Sequence, residues 1–422
     1  MSKKHFTFLS LLVFSLVIGY IAAQGINLEN PNGNLSTPSG QNNLNNPSGS
    51  HSDGNSQNFD PIQAQIKDMS LEEKIGQLVM VGVEGYENDD YAQKMIKEYH
   101  VAGLVLFKRN IRDSKQMLAL INSLKETNSV NPIPLFLAID EEGGRISRLP
   151  DEFLKLPTSK KMGQLNNNQL SYQLGSILGE ELKLLGLNLN FAPVLDINSN
   201  PKNPVIGDRS FGSKADVVSK LGIQTMKGIQ SQNIISVVKH FPGHGDTSVD
   251  SHIGLPTVNN DLERLNSFEL IPFAEAIKSG ADAIMIAHIR LPKIDPNHPA
   301  SFSQIIISDV LRKNMQFDGV VITDDMTMGA IVNNYDIGEA AVKSIQAGSD
   351  IILVCHDFAK QEAVIKAIQT AAENEVIAPE RIDQSVYRIL KLKQKYGLTD
   401  STVPGADPHI IKSINNKIKE LF

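Results

Sequence analysis

Residues 235–256 read ISVVKHFPGHGDTSVDSHIGLP. The first part, ISVVKHF, is an apolar, β-branched run of strand length. From the end of that run onward the stretch carries His240, His244 and His252 with Asp246 and Asp250. A solvated turn draws mostly on Lys, Glu and Ser, whereas imidazoles beside carboxylates are what proton transfer or metal binding needs. The competing reading is a polar turn held by its own side-chain bonds. A strand that ends in such a loop sets the question of whether the rest of the chain is built in the same way.

Seven further apolar runs of strand type lie at 76–83, 102–107, 134–140, 187–197, 282–289, 319–325 and 350–355. Between them lie stretches such as SYQLGSILGEELKLLG (171–186) and LNSFELIPFAEAIKSG (265–280), whose apolar spacing suits a helix with one buried face. Eight strands alternating with helices predict an α/β fold, a (β/α)8 TIM-like barrel forming a single catalytic domain over 61–398. In such a barrel, reactive side chains belong at the C-terminal ends of the strands. Here those ends carry Asp140, Asp196, Lys239 with His240, His288, and Asp324 with Asp325. An open doubly wound sheet also places ligands at strand ends, so the clustering points to an enzyme more firmly than to one architecture.

The flanks and the composition narrow the setting. Lys3, Lys4 and His5 precede an apolar run over 6–23, which reads as a signal peptide ending at Ala22–Ala23. Ile21 fits the cleavage pattern poorly, so an uncleaved N-terminal anchor is the alternative. Either reading predicts a secreted or cell-surface protein, with membrane association through this segment if it is kept. Residues 24–60 are rich in Asn, Ser, Gly and Pro and read as a disordered linker. Residues 399–422 are expected to form a helical tail. A net charge of −7 without a Lys/Arg block gives no footprint for nucleic acid. The single cysteine, Cys355, has no internal disulfide partner and is expected in the core.

Six ordered motifs carry a family resemblance: SLEEKIGQLVMVG (70–82), IDEEGGRISRLP (139–150), NFAPVLDINSNP (190–201), GDRSFG (207–212), the loop 239–256, and VITDDMTMGA (321–330). Together they resemble the barrel of glycoside hydrolase family 3, in its β-N-acetylglucosaminidase branch, and SVYRILKLKQKYGL (385–398) resembles the close of that barrel. The resemblance implies a retaining, exo-acting glycosidase that releases terminal β-N-acetylglucosamine from small oligosaccharides or muropeptides and needs no cofactor. It implies Asp324 as nucleophile, Asp250 and His252 as the proton-donating pair, and Asp140, Arg148, Arg209, Lys239 and His240 as binders of the terminal sugar. Family members with a second domain draw a glutamate acid from it. Since only 399–422 follow the barrel, the donor is expected from the barrel itself.

The residues also admit other readings. Asp324 at a strand tip suits a nucleophile held rigidly against an anomeric carbon, but a helix N-cap uses the same residue type. Asp325 faces away from Asp324 if the strand continues. Arg209 suits a sugar clamp or a salt bridge that ties down the GDRSFG loop, and Arg148 a clamp or a rim charge. His240, His244, Asp246, Asp250 and His252 permit a metal-dependent hydrolase, although no HxH, HExxH or cysteine pattern accompanies them. A non-catalytic cell-wall sugar-binding protein is a further alternative. So is phosphorolysis within the family, since a histidine donor adds no permanent negative charge against a phosphate acceptor.

Overall fold

A computed structural model of the chain describes residues 60–422. The apolar run 6–23 and the Asn/Ser/Gly/Pro stretch up to residue 59 lie outside the described residues. Eight parallel strands close on one another in sequence order: β1 (Val79–Gly82), β2 (Gly103–Leu106), β3 (Phe136–Ile139), β4 (Leu189–Asn190), β5 (Ile235–Phe241), β6 (Ala283–Ile286), β7 (Val320–Asp325) and β8 (Ile351–Val354). Strand β8 pairs back onto β1. Among the described residues no helix is long and apolar enough to cross a membrane.

Both faces of each strand are covered, which is why the strands read as unbroken apolar runs rather than as alternating ones. Met80, Val105, Phe136, Val237, Met285, Ile322 and Leu353 fill the barrel interior. Their neighbours in sequence, such as Val81, Leu104, Leu137, Val238, Val321 and Ile352, pack instead against the surrounding helices. The helices follow the amphipathic stretches, for example Asn168–Leu184, which buries Leu174, Ile177, Leu178 and Leu182. Beyond the barrel, the helix Pro408–Leu421 buries Ile411, Ile414 and Ile418. At the other end of the described chain, Asp60 caps the helix Pro61–Asp68 by accepting from the Ile62 N–H at 2.9 Å.

Each strand lies inside its predicted run, but the run 187–197 behaves differently. Its ladder lasts only two residues, because Pro193 has no N–H to donate and the chain turns over the barrel mouth. A single bridge from Val194 to Lys239 continues the contact with β5. The turn delivers Asp196 to a fully buried place beneath the β5 loop.

The barrel and every strand-end residue at its mouth lie within 60–422. A chain that begins at Asp60, keeping the cap, should therefore retain kcat/KM within about twofold, less than about 0.5 kcal/mol of barrier. Steady-state kinetics on the truncated and full chains would check this.

Candidate active site

Strand alternation decides which residues meet at the barrel mouth. On β7, Val320 and Ile322 point into the barrel, so Asp324 also points inward, at its upper end. The pairing of β7 with β8 shifts register between Ile322 and Asp325, and Asp325 borders the cavity as well. Its carboxylate is engaged by the Thr327 and Cys355 N–H groups at 2.9 Å each and by the Thr327 hydroxyl at 2.7 Å. It ties the end of β7 to the end of β8. On β5 the alternation fails. The register shifts between Val238 and Phe241, and Lys239 and His240 both face the mouth. The motif pair Lys-His gives no hint of this in the sequence, because a regular strand would turn one of the two away.

A cavity of about 300 Å³ opens between these ends, at the small end of the range for ligand sites. Asp140, Arg148, Arg209, Lys239, His240, His252 and Asp324 all line it, and Val105, Phe191, Met285 and Leu353 form its floor. Asp250 stands behind His252 rather than on the wall. Its Oδ1 lies 2.8 Å from His252 Nδ1 and also accepts the His252 N–H at 2.9 Å. This leaves His252 Nε2 free toward the cavity.

The polar wall is a chain of buried ion pairs. Lys239, 1% exposed, donates through Nζ to Asp140 at 2.5 Å and lies 2.7 Å from Glu142 Oε1. Arg209 holds Glu142 with both arms of its fork, Nε at 2.9 Å and Nη2 at 2.7 Å. Burial alone would raise the Glu142 carboxyl, but Arg209 and Lys239 hold it well below the usual carboxylate range. The salt bridge expected of Arg209 is present and ties its loop to Glu142, while the guanidinium stays on the cavity wall. Glu142 is a member of the site that the sequence reading did not select. The doublet Glu141-Glu142 directly after the strand-end Asp140 was the available signal.

His240 and His244 share one buried carboxylate. His240 Nδ1–H donates to Asp196 Oδ2 at 2.6 Å, and Arg209 Nη2 approaches the other ring nitrogen at 3.4 Å, so Nε2 serves as the acceptor. The His244 N–H donates to Asp196 Oδ1 at 2.6 Å. The nitrogens of His244 face Thr247 Oγ1 at 2.9 Å and Ser251 Oγ at 3.2 Å, and Asp246 lies 3.3 Å from the Asn260 amide. Of the residues that the sequence allowed as metal ligands, His240, His244, Asp246 and Asp250 are thus turned to protein partners, and His252 keeps Nε2 for the cavity. Among the described residues no three His, Cys, Asp or Glu side chains converge on one point. His288 is wholly buried between Ser301 Oγ and the Asp325 carbonyl, 2.8 and 3.1 Å away.

Asp324 lies sunk in the cavity floor. Burial would raise its carboxyl, but His288, His240 and the Asp325 N–H, 2.9 Å from Oδ1, hold it below the usual value. An ionised, anchored carboxylate is what nucleophilic attack requires. Arg148 reaches the cavity wall with its buried Nε free of any hydrogen-bond partner. Its chain is held by Glu141, which accepts the Arg148 N–H at 2.7 Å and the Leu149 N–H at 3.3 Å.

Burial pushes the Glu141 carboxyl up to about 7. Between its unfolded value and 7 the native state keeps a proton that the unfolded chain has lost, so this group makes stability fall as pH rises through that window. Glu141→Gln keeps an acceptor for the Arg148 N–H and removes the titration. Denaturant melts from pH 4.5 to 8 should show the wild type losing up to roughly 3 kcal/mol relative to the variant.

A closed parallel barrel with a cationic and hydrogen-bonding cage on one wall, an ionised carboxylate on its floor and an imidazole–carboxylate pair at its lip is the site of an enzyme that acts on a small, hydroxyl-rich molecule. The chain belongs to glycosyl hydrolase family 3 and is a glycoside hydrolase: residues 70–392 match the glycosyl hydrolase family 3 N-terminal domain. It is 34% identical over 301 residues to a beta-hexosaminidase of Idiomarina loihiensis, covering 70% of this chain and 89% of the relative. It is 36% identical over 326 residues to beta-hexosaminidase A of Pseudoalteromonas piscicida, where the match takes in 72% of this chain and about half, 54%, of that longer protein. Among solved structures, the family 3 beta-N-acetylglucosaminidase from a Paenibacillus species superposes with a TM-score of 0.79 at 42% identity, over 84% of this chain and 69% of that one.

Proposed function

We propose that the protein is an exo-acting, retaining β-N-acetylglucosaminidase that removes terminal non-reducing sugars from peptidoglycan fragments or similar amino-sugar oligosaccharides. The observation that carries this reading is the placing of Asp324 and His252 on one cavity of about 300 Å³, together with the polar cage on its wall. The terminal sugar binds with its hydroxyls against Asp140, Lys239, Arg209 and His240, and Arg148 supplies a further donor. A cage already ordered by its own ion pairs holds the ring in one orientation at little further cost in ordering.

Asp324 attacks the anomeric carbon, and the C–O bond to the leaving group breaks as His252 Nε2 delivers its proton to that oxygen. Asp250 holds the imidazole through Nδ1 and stabilises its charged form. In the second step the neutral His252 takes a proton from water, the water oxygen bonds to the anomeric carbon, and Asp324 is released. Residues 1–23 make the protein an exported or membrane-anchored enzyme that meets wall fragments outside the cytoplasm, and 24–59 tether the barrel to that segment.

A panel of chromogenic β-N-acetylglucosaminides and β-glucosides tests the specificity, and turnover of glucosides alone would overturn it. Product analysis in phosphate buffer tests the acceptor. Free N-acetylglucosamine is the expected product, and its 1-phosphate in place of the free sugar would make the enzyme a phosphorylase. Digestion of purified muropeptides tests the natural substrate.

A further inference from the structure

The Asp250–His252 pair is exposed: 65% of the His252 side chain and 30% of that of Asp250 remain open to solvent. The two side chains bond to each other, and the direction in which the imidazole points is set by whatever holds the chain at 250–252. That is the residue between them. Ser251 is 2% exposed, and its hydroxyl lies 3.2 Å from Nε2 of His244.

His244 is itself fixed on three sides, by Asp196 at its backbone N–H, by Thr247 at Nδ1, and by the edge of the His240 ring, with centroids 5.8 Å apart. A neutral imidazole has one donor and one acceptor nitrogen, and the two hydroxyls of Thr247 and Ser251 fit either tautomer. Burial and the neighbouring His240 depress His244 to about 4, which keeps it neutral at working pH.

The other side of the same tripeptide is held to the segment just after the nucleophile. The Ala330 N–H donates to the Ser251 carbonyl at 3.1 Å and the Gly329 N–H to the His252 carbonyl at 3.3 Å. A Cβ on Gly329 would stand 2.6 Å from that carbonyl oxygen, so the approach depends on glycine at this place.

We infer that His244 and Ser251 form a latch that seats the Asp250–His252 pair over Asp324, which makes them positioning residues for proton transfer. The inference rests on the assignment of that pair as the proton donor. The hydroxyl–imidazole bond joins the loop to Asp196, the same carboxylate that orients His240 in the sugar cage, so the bound ring and the acid share one anchor. Without the latch the exposed loop samples more orientations, and the donor reaches the glycosidic oxygen in fewer of them. Ser251 and His244 also border the cavity, so the leaving-group dependence of the rate, and not affinity for the sugar, is what separates a positioning role from a binding one.

The test is single-turnover glycosylation of two aryl β-N-acetylglucosaminides, one with a poor and one with an activated leaving group. Ser251→Ala should slow the poor substrate about tenfold, about 1.4 kcal/mol, and the activated one by less than about twofold. The melting temperature should fall modestly, because His244 Nε2 is left buried without its hydroxyl partner, and that loss bears equally on both substrates. His244→Gln, which still offers a donor and an acceptor, should recover more of the rate on the poor substrate than His244→Ala. Equal losses on both substrates in Ser251→Ala, or none on either, would overturn the latch. His252→Ala measured alongside separates the two failures. Selectivity for the leaving group in His252→Ala but not in Ser251→Ala removes the latch alone, whereas its absence in both removes the donor assignment and the latch with it.

Discussion

Asp324→Asn should keep the fold and the affinity for N-acetylglucosamine while kcat falls by about 10³-fold or more, about 4 kcal/mol of barrier. The substitution is nearly isosteric, and the amide oxygen still accepts the Asp325 N–H that Oδ1 accepts at 2.9 Å. What it removes is the negative charge and the covalent step. The cage of Asp140, Lys239, Glu142 and Arg209 does not depend on Asp324 for its bonds, so binding of the sugar should survive. Titration with the sugar and burst kinetics on an activated glycoside measure the two effects separately. A variant that keeps more than a tenth of the wild-type rate would place the nucleophile elsewhere. Asp325→Asn is the informative control. Its carboxylate borders the cavity but is engaged by the Thr327 and Cys355 N–H groups, so the substitution should cost stability and far less of kcat than Asp324→Asn does.

That contrast between two adjacent aspartates shows what the sequence made legible. The alternation of a strand made Asp324 legible as an inward-facing carboxylate at the end of β7, whereas the place of Asp325 was not, because the register against β8 shifts between Ile322 and Asp325 and both aspartates border the cavity. The barrel was legible for a similar reason. Strands covered on both faces must be apolar throughout, and eight such runs separated by amphipathic stretches leave few alternatives. Two further features that were not legible also arise where regular pairing ends. The register shift in β5 turns Lys239 and His240 to the same side, and no periodicity rule anticipates an irregularity that depends on the neighbouring strand. The short ladder of β4 was signalled by Pro193, but the outcome, Asp196 folded beneath two histidines, depends on the path of the chain across the barrel mouth. Glu142 escaped for a third reason. In sequence it is one of two adjacent glutamates, and only the arrival of Arg209 and of Lys239 from β5, both distant in the chain, separates its role from that of Glu141.

The second large effect should appear when the leaving group is varied. His252→Ala should slow glycosylation of a poor leaving group by about 10²-fold or more, within the range that general acid catalysis supplies, and that of an activated aryl group far less, because such a group departs as a stable anion without a proton. The geometry sets this expectation. His252 Nδ1 is occupied by Asp250 at 2.8 Å, so the one nitrogen left to face the cavity is Nε2, and a proton delivered from it is the specific contribution of this side chain. Asp250→Asn should fall between the wild type and His252→Ala. An amide can still orient the ring, but it no longer stabilises the imidazolium that precedes transfer, and it can stabilise the wrong tautomer. A residue that bound a metal would act on both substrates alike, and the wild type would lose activity to a chelator. Pre-steady-state rates on the two aryl glycosides, with and without chelator, decide between these outcomes. Equal loss on both substrates together with chelator sensitivity would move His252 and Asp250 from proton transfer to metal binding, and the nucleophile assignment would then have to be argued again from Asp324 and its neighbours alone.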